Sequence, residues 1–310
     1  MTVLLVASGG GHLAELHALA PSLTGTADRC WVTGDTAQSR SLLAGEPVHH
    51  VQPAATRDLA GAVRNYRDAR ALLRTGGFDR VISTGAGIAA SFFLAARQFG
   101  VPCEYIESAT RTAGPSLTGR IVAKLPGTRL RTQHPAWADA RWQYAGSVFD
   151  GFVARPAEPR PITKVVVTLG THPRYGFARL LHRLVQIMPP EAEVLWQVGA
   201  TRIDPMPAGA RTTVGYAELA QAVAEADVVI THAGVGSALG ALQAGKRAIF
   251  VPRRHAYGEH VDDHQVALAA GLHARDLVLA READALTTQD LATASAWTVS
   301  TAALLAPVNG

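Results

Sequence analysis

The chain has 310 residues, 48% apolar and 17% charged, a composition that buries a large core and excludes a disordered chain. Its length suits two domains of ~100–200 residues each. Lys and Arg number 29 against 25 Asp and Glu, but only Lys124, Lys164 and Lys246 are lysines, and this arginine-heavy balance is read as composition rather than nucleic-acid binding.

In chain order, residues 3–7 read as a strand, 12–23 as a helix, 30–33 as a strand and 37–43 as a short helix. Residues 58–74 carry apolar positions on one helical face. A strand at 80–84, a helix at 88–99 and a strand at 103–106 follow. The pattern stops at 153–161, where ARPAEPRP suggests a semi-rigid linker. It then resumes with strands at 164–169, 194–198, 228–231 and 248–251. Helices are expected at 177–188, 216–224, 237–244 and 264–270. Residues 291–310 read as a terminal helix packed on the protein. Alternation of this kind predicts parallel sheets covered by helices, in two doubly wound Rossmann-like domains, 1–155 and 156–310, facing across a cleft.

Cys30 and Cys103, the only cysteines, exclude a disulfide framework and an all-cysteine zinc site and suit a reducing, cytoplasmic compartment. The apolar run at 2–7 has no basic region before it and does not read as a signal peptide. The uncharged stretches 81–96, 228–245 and 291–310 are too short or too rich in Gly, Ser and Thr for the favoured reading to be a membrane span.

Four segments carry chemistry. Gly9, Gly10 and Gly11 follow the first strand and open a helix that begins with His12, so backbone N–H groups and a helix N-terminus can meet an anion. Position 14 is Ala, so G-x-G-x-x-G is not completed and a nicotinamide enzyme is disfavoured. His12 at the mouth suits proton transfer near neutrality. The second segment ends an apolar strand in His232, with Gly234, Gly236 and then Ser237, a suitable helix cap. The third, residues 251–265, crowds Arg253, Arg254, Glu259, His264 and Gln265 beyond the next strand, which suits a polyhydroxylated ligand. A metal is disfavoured there, because no third ligand is evident and no two Asp stand two apart in the chain. The fourth places Glu107 after a strand, as a base or as a partner for Arg111.

Residues 1–155 carry 16 basic and 11 acidic side chains, whereas 156–310 carry 13 and 14. No acid occurs from 108 to 138, where Arg111, Arg120, Lys124, Arg129 and Arg131 lie. This stretch is either a solvated face or a surface for something anionic.

With ASGGGHLAEL, VISTGAG, YIESATR and PSLTGR, the first half resembles the membrane-associated subunit of the two-subunit glycosyltransferases of dolichol-linked and bacterial exopolysaccharide synthesis. With VVVTLGTH, ADVVITHAGVGSAL, GKRAIFVPRR and GEHVDDHQ, the second half resembles their catalytic subunit. The two appear fused, in the order found in the related lipid II-forming N-acetylglucosaminyltransferases. The resemblance implies a GT-B fold and inverting, metal-independent transfer from a UDP-sugar to a polyprenyl-diphosphate-linked saccharide. The enzyme would be cytoplasmic and peripheral at the inner leaflet of the plasma membrane, compatible with a homo-oligomer. It implies that Gly170, Thr171, His232, Gly234, Gly236, Ser237, Arg253, Glu259, His264 and Gln265 take the donor. Gly10, Gly11 and Arg111 would take the acceptor, with His12 the first and Glu107 the second choice of base. Arg120, Lys124, Arg129 and Arg131 would face the membrane. Gly240 stands where relatives often carry a ribose-binding Glu, so ribose must be held otherwise. The alternatives are a UDP-sugar epimerase or hydrolase of the same fold and a non-catalytic donor-binding subunit.

Overall fold

Thr2–Ala7 (β1) is apolar on both faces: Leu4 and Val6 enter one cluster, and Val3, Leu5 and Ala7 another. A strand buried on both sides belongs inside a parallel sheet with helices on each face. The computed structural model shows that arrangement and describes residues 1–52, 58–171 and 173–301. One compact unit is built on Met1–Val148 and another on Phe149–Ala306.

The first unit continues through Gly11–Thr24 (α1), Asp28–Gly34 (β2), Ala37–Leu42 (α2), Val48–Val51 (β3) and Leu59–Arg74 (α3). Arg80–Gly85 (β4), Gly87–Gln98 (α4), Cys103–Ile106 (β5), Leu117–Val122 (α5), Arg129–Thr132 (β6) and Trp142–Tyr144 (β7) complete it. The parallel sheet runs β3-β2-β1-β4-β5-β6-β7. Leu13, Leu16 and Ala20 of α1 pack on one face; Ala69 and Leu73 of α3 and Phe92 and Phe93 of α4 pack on the other. Order reverses between β1 and β4, so their carboxyl ends open a crevice where the helices diverge. The glycines at 9–11 lie there.

The second unit contains Phe152–Pro156 (β8), Lys164–Thr168 (β9), Ala178–Ile187 (α6), Glu193–Gln197 (β10), Tyr216–Glu225 (α7) and Val228–His232 (β11). Val235–Gln243 (α8), Ile249–Val251 (β12), His264–His273 (α9), Leu279–Ala280 (β13), Thr288–Ser295 (α10) and Trp297–Thr301 (β14) follow. Its parallel sheet runs β10-β9-β11-β12-β13, with the reversal between β9 and β11. Gly170 follows β9 and Gly234 follows β11, so both loops sit at the switch point of this sheet. Val165, Val167 and Ile230 from the sheet meet Leu180, Leu181 and Leu184 of α6 in its core.

The structure departs from the sequence expectations in four respects. Part of the proline-rich segment is strand: β8 pairs antiparallel with β14. The expected terminal helix is instead α10 followed by β14, whose Thr298, Val299, Ser300 and Thr301 are residues that fit a strand better than a helix; residues 302–310 of that expectation lie outside the described residues. Ser237 is not a helix cap. Gly234 occupies that position and Ser237 is already inside α8. Strands β3, β6 and β7 were not anticipated, being short and, in β3 and β6, interrupted by His or Arg. Among the described residues, no helix is long and apolar enough to cross a membrane.

Candidate active site

Helices α1 and α8 begin alike. Gly10 caps one and Gly234 the other, and neither cap supplies a side-chain hydrogen bond to the first turn. The first N–H groups of a helix have no intrahelical partner, so a glycine cap leaves them turned toward whatever fills the crevice. Gly236 and Ser237 lie in that first turn of α8. Gln38 holds the α1 loop in shape: Gly10 N–H donates to its Oε1 at 2.6 Å, and its amide nitrogen donates to Gly10 O at 3.0 Å.

His12, second residue of α1, places Nδ1 3.0 Å from the carbonyl of Thr84 at the end of β4. A carbonyl only accepts, so Nδ1 carries the hydrogen and Nε2 is the nitrogen able to take a proton. Thr84 Oγ1 donates back to His12 O at 2.9 Å. A Cβ placed on Gly85 would lie 3.1 Å from the His12 ring and 3.0 Å from the Tyr105 hydroxyl, so both side chains border this turn. Tyr105 reaches Ser116 Oγ at 3.3 Å and Glu107 Oε1 at 3.4 Å. Its hydroxyl is held well above the usual pKa, chiefly by burial and then by the Glu107 carboxylate.

Glu107 is buried and accepts from Ser108 N–H at 3.2 Å, Ser116 N–H at 2.9 Å and Ser116 Oγ at 3.1 Å. Burial raises its pKa against the pull of these donors and of Arg111. The carboxylate therefore shapes the loop between β5 and α5. Gly119 of α5 makes room for it, and a Cβ there would collide with Glu107 Oε2. Gly119→Ala is expected to push Glu107 aside, lowering stability by about 1–3 kcal/mol. Thermal unfolding of the purified variant would measure the loss.

Arg111 lies at the turn of this loop, where its carbonyl accepts from Trp137 Nε1 at 2.8 Å. Of the four residues expected to face a membrane, Arg120, Lys124 and Arg129 are exposed. Arg131 is instead paired with Glu104 across β5 and β6.

In the second unit, the His232 ring sits between two glycines. A Cβ on Gly170 would come within 2.9 Å of it and one on Gly234 within 2.7 Å. Gly170 has φ +80°, and Gly199 lies so close to its carbonyl that any side chain there would collide with it. Burial, reinforced by Arg253, drives the His232 pKa down to about 3. This imidazole is therefore neutral at any working pH. The neutral ring stands beside the N–H groups that open α8, with Nδ1 3.4 Å from Thr168 O.

Arg253 is 1% exposed and donates through Nη2 to Leu169 O. Burial lowers its pKa to about 10. Its N–H donates to Gln265 Oε1 at 3.0 Å. Glu259 accepts from Arg179 Nε at 3.2 Å and Nη2 at 3.1 Å, and from Arg254 N–H at 2.9 Å. Arg254 pairs with Glu282. Three of the expected sugar-side residues, Arg253, Glu259 and Gln265, thus brace their own loop. Thr171 is exposed on the loop after β9, and Gly240 is exposed on α8 with open space around it. His264 Nδ1 contacts Asp262, while the His260 ring stacks on Tyr175 at 5.5 Å. His260, Asp262 and His264 bring ligand atoms within 4.8 Å of one another, a set able to hold a metal ion; the sequence showed no third ligand.

Sequence reasoning missed Glu15, Gln38, Tyr105, Gln133 and Arg179. Glu15 alone left a signal, an acid three residues after His12 on an otherwise apolar helix face. Arg179 finds Glu259 from 80 positions away, which no local pattern reveals.

Residues 165–293 match the glycosyltransferase family 28 C-terminal domain. The chain is 28% identical over 307 residues, covering 87% of itself and 82% of the relative, to a UDP-N-acetylglucosamine–N-acetylmuramyl-(pentapeptide) pyrophosphoryl-undecaprenol N-acetylglucosamine transferase of Clavibacter sepedonicus. A protein of the same name from Clavibacter michiganensis subsp. michiganensis matches equally. Among solved structures, the MurG of Acinetobacter baumannii superposes with a TM-score of 0.55 at 20% identity, covering 94% of this chain and 88% of that one. The glycosyltransferase SnogD from Streptomyces nogalater gives 0.56 at 20%, covering 93% and 88%. The chain is a glycosyltransferase with the GT-B fold.

Proposed function

We propose that this enzyme moves a sugar from a UDP-sugar to a polyprenyl-diphosphate-linked saccharide, with inversion, as a fused form of the two-subunit exopolysaccharide transferases. The observation that carries the reading is the pair of glycine-started helices at the two switch points, each with a histidine at its lip. One suits the acceptor diphosphate and the other the donor diphosphate. The Clavibacter relatives, whose names join a UDP-sugar to a pyrophosphoryl-undecaprenol acceptor, support the same pairing.

In this reading His12 Nε2 takes the proton of the acceptor hydroxyl, whose oxygen attacks the anomeric carbon. The bond to UDP breaks and its electron pair leaves with the diphosphate, stabilised by the first turn of α8. Glu107, the second candidate base, keeps the 107–116 loop in shape. Gly170 and Thr171 border the nucleotide, and His264 faces the sugar, with Gln265 holding the loop behind it. The absence of a D-x-D supports transfer without a metal, and full activity in EDTA is the expected outcome. Loss that Zn²⁺ or Mn²⁺ restores would instead assign the His260, Asp262 and His264 cluster a role.

The reading places the enzyme at the cytoplasmic face of the membrane. On α5, Leu117 and Ile121 are 55% and 47% exposed beside Arg120 and Lys124, an apolar and basic combination suited to an anionic bilayer. The triple variant Arg120→Glu, Lys124→Glu, Arg129→Glu is expected to lose about tenfold or more in affinity for phosphatidylglycerol vesicles, at roughly 1 kcal/mol per basic residue. UDP-sugar affinity should be unchanged, as sedimentation and calorimetry would measure.

Incubating the enzyme with radiolabelled UDP-sugars and bacterial membranes tests the reaction. Label should enter the lipid extract. Free sugar or a second UDP-sugar appearing at the same rate without membranes would mark a hydrolase or an epimerase.

A further inference from the structure

Glu15 is fully buried on α1, one turn after His12, and the mechanism above does not use it. Residues three apart on a helix share a face, so the two side chains leave α1 toward the same crevice. Glu15 Oε1 accepts from Ala109 N–H at 2.7 Å and from Gln133 Nε2 at 2.6 Å. The same Gln133 nitrogen donates to Glu107 O at 3.0 Å, and Gln133 Oε1 accepts from Val148 N–H at 2.8 Å. His134 Nε2 lies 2.7 Å from Ala109 O. One carboxyl oxygen thus gathers the helix of His12, the loop that carries Glu107 and Arg111, and the segment after β6.

We propose that Glu15 is a positioning residue for transfer, fixing the acceptor loop at 107–111 against the helix that presents His12. The proposal rests on the transferase reading and deepens it. A neutral Gln would offer the same acceptor oxygen. A carboxylate instead makes charge-assisted bonds, which are shorter and about twice as strong. That choice works against stability. Burial above all raises the Glu15 pKa to about 7, opposed by the Ala109 and Gln133 bonds and aided by Glu107. A raised acid contributes its stability in full below the unfolded value and loses it as the pH climbs through about 7. At neutral pH the carboxyl is therefore shared between its two forms although ionisation works against folding, and a group poised there fits a role in function. The titratable and charged groups around it are His12 on its own helix, Tyr105 on β5, Glu107 and Arg111 on the loop, and His134 after β6.

The test compares acceptor kcat/KM for wild type and Glu15→Gln at saturating donor across pH. At pH 8 the variant is expected about tenfold lower, mostly through acceptor KM, with donor KM unchanged. The gap should close by pH 6, where the wild-type carboxyl is also protonated. A ratio that is the same at every pH, or equal to one, overturns the proposal. Hydrogen exchange in wild type gives a readout that needs no variant and no substrate. Protection of the Ala109 amide, corrected for intrinsic rates, should be present above pH 7 and fall about tenfold below it; protection unchanged from pH 6 to 8 overturns the proposal. Failure of wild type to transfer any sugar would overturn the underlying reading, and that result is separable from the exchange measurement.

Discussion

Replacing His12 with Gln is expected to lower kcat by about 10²–10⁴-fold, the usual contribution of a positioned general base. The magnitude follows from geometry. Thr84 O orients the ring through Nδ1 at 3.0 Å, so Nε2 is presented as the acceptor nitrogen. Gln keeps a polar side chain of similar reach and removes the basicity. Donor affinity should not change, because the donor is assigned to the other unit. Stopped-flow or quenched-flow single-turnover rates would measure the loss on the chemical step alone. A variant that keeps wild-type turnover would remove His12 from the mechanism.

The second large effect is expected at Gly234. An Ala there puts its Cβ 2.7 Å from His232 Nε2, and the ring is already confined on its other side by Gly170. Either the imidazole abandons its rotamer or the start of α8 shifts, at a cost of about 1–3 kcal/mol. Both outcomes spoil the cradle, so donor affinity should fall about tenfold to a hundredfold at constant acceptor affinity, as calorimetry with the UDP-sugar would show. The cause can be isolated by a double-mutant cycle. With the ring removed by His232→Ala, adding Gly234→Ala should change donor affinity little. A full additive loss would mean that the Cβ obstructs the ligand rather than the histidine.

The strands that form the two switch points were legible because long β-branched runs between glycine-led turns have few alternatives. β1, β4, β5, β9 and β11 lie where the alternation placed them, within a residue or two. Short strands away from the sheet centre were not legible. Arg129–Thr132 reads as charge and solvent until β5 is beside it, when Glu104 accounts for Arg131. The same ion pair removes Arg131 from the surface that the acid-free stretch suggested.

At the site, the motifs located the loops but not the division of labour within them. Arg253, Glu259 and Gln265 stand in the segment expected to read the sugar, yet Arg253 donates to Leu169 O, Gln265 accepts from Arg253 N–H, and Glu259 is held by Arg179 and by Arg254 N–H. A string of polar residues does not reveal which will brace and which will bind, because bracing partners such as Arg179 come from distant elements. The metal question has the same origin. Asp262 completes a set with His260 and His264 through loop geometry, which spacing along the chain did not disclose.

In the proposed reaction the acceptor's diphosphate is recognised, and a saccharide without one is not a substrate. Purified enzyme, a labelled UDP-sugar that it binds, and one saccharide presented on polyprenyl diphosphate, on polyprenyl monophosphate or free test this by label transfer. Transfer to the diphosphate-linked form is expected to be at least about a hundredfold faster than to the other two, since losing a set of charge-assisted contacts costs about 3 kcal/mol. Equal rates on all three acceptors would contradict it.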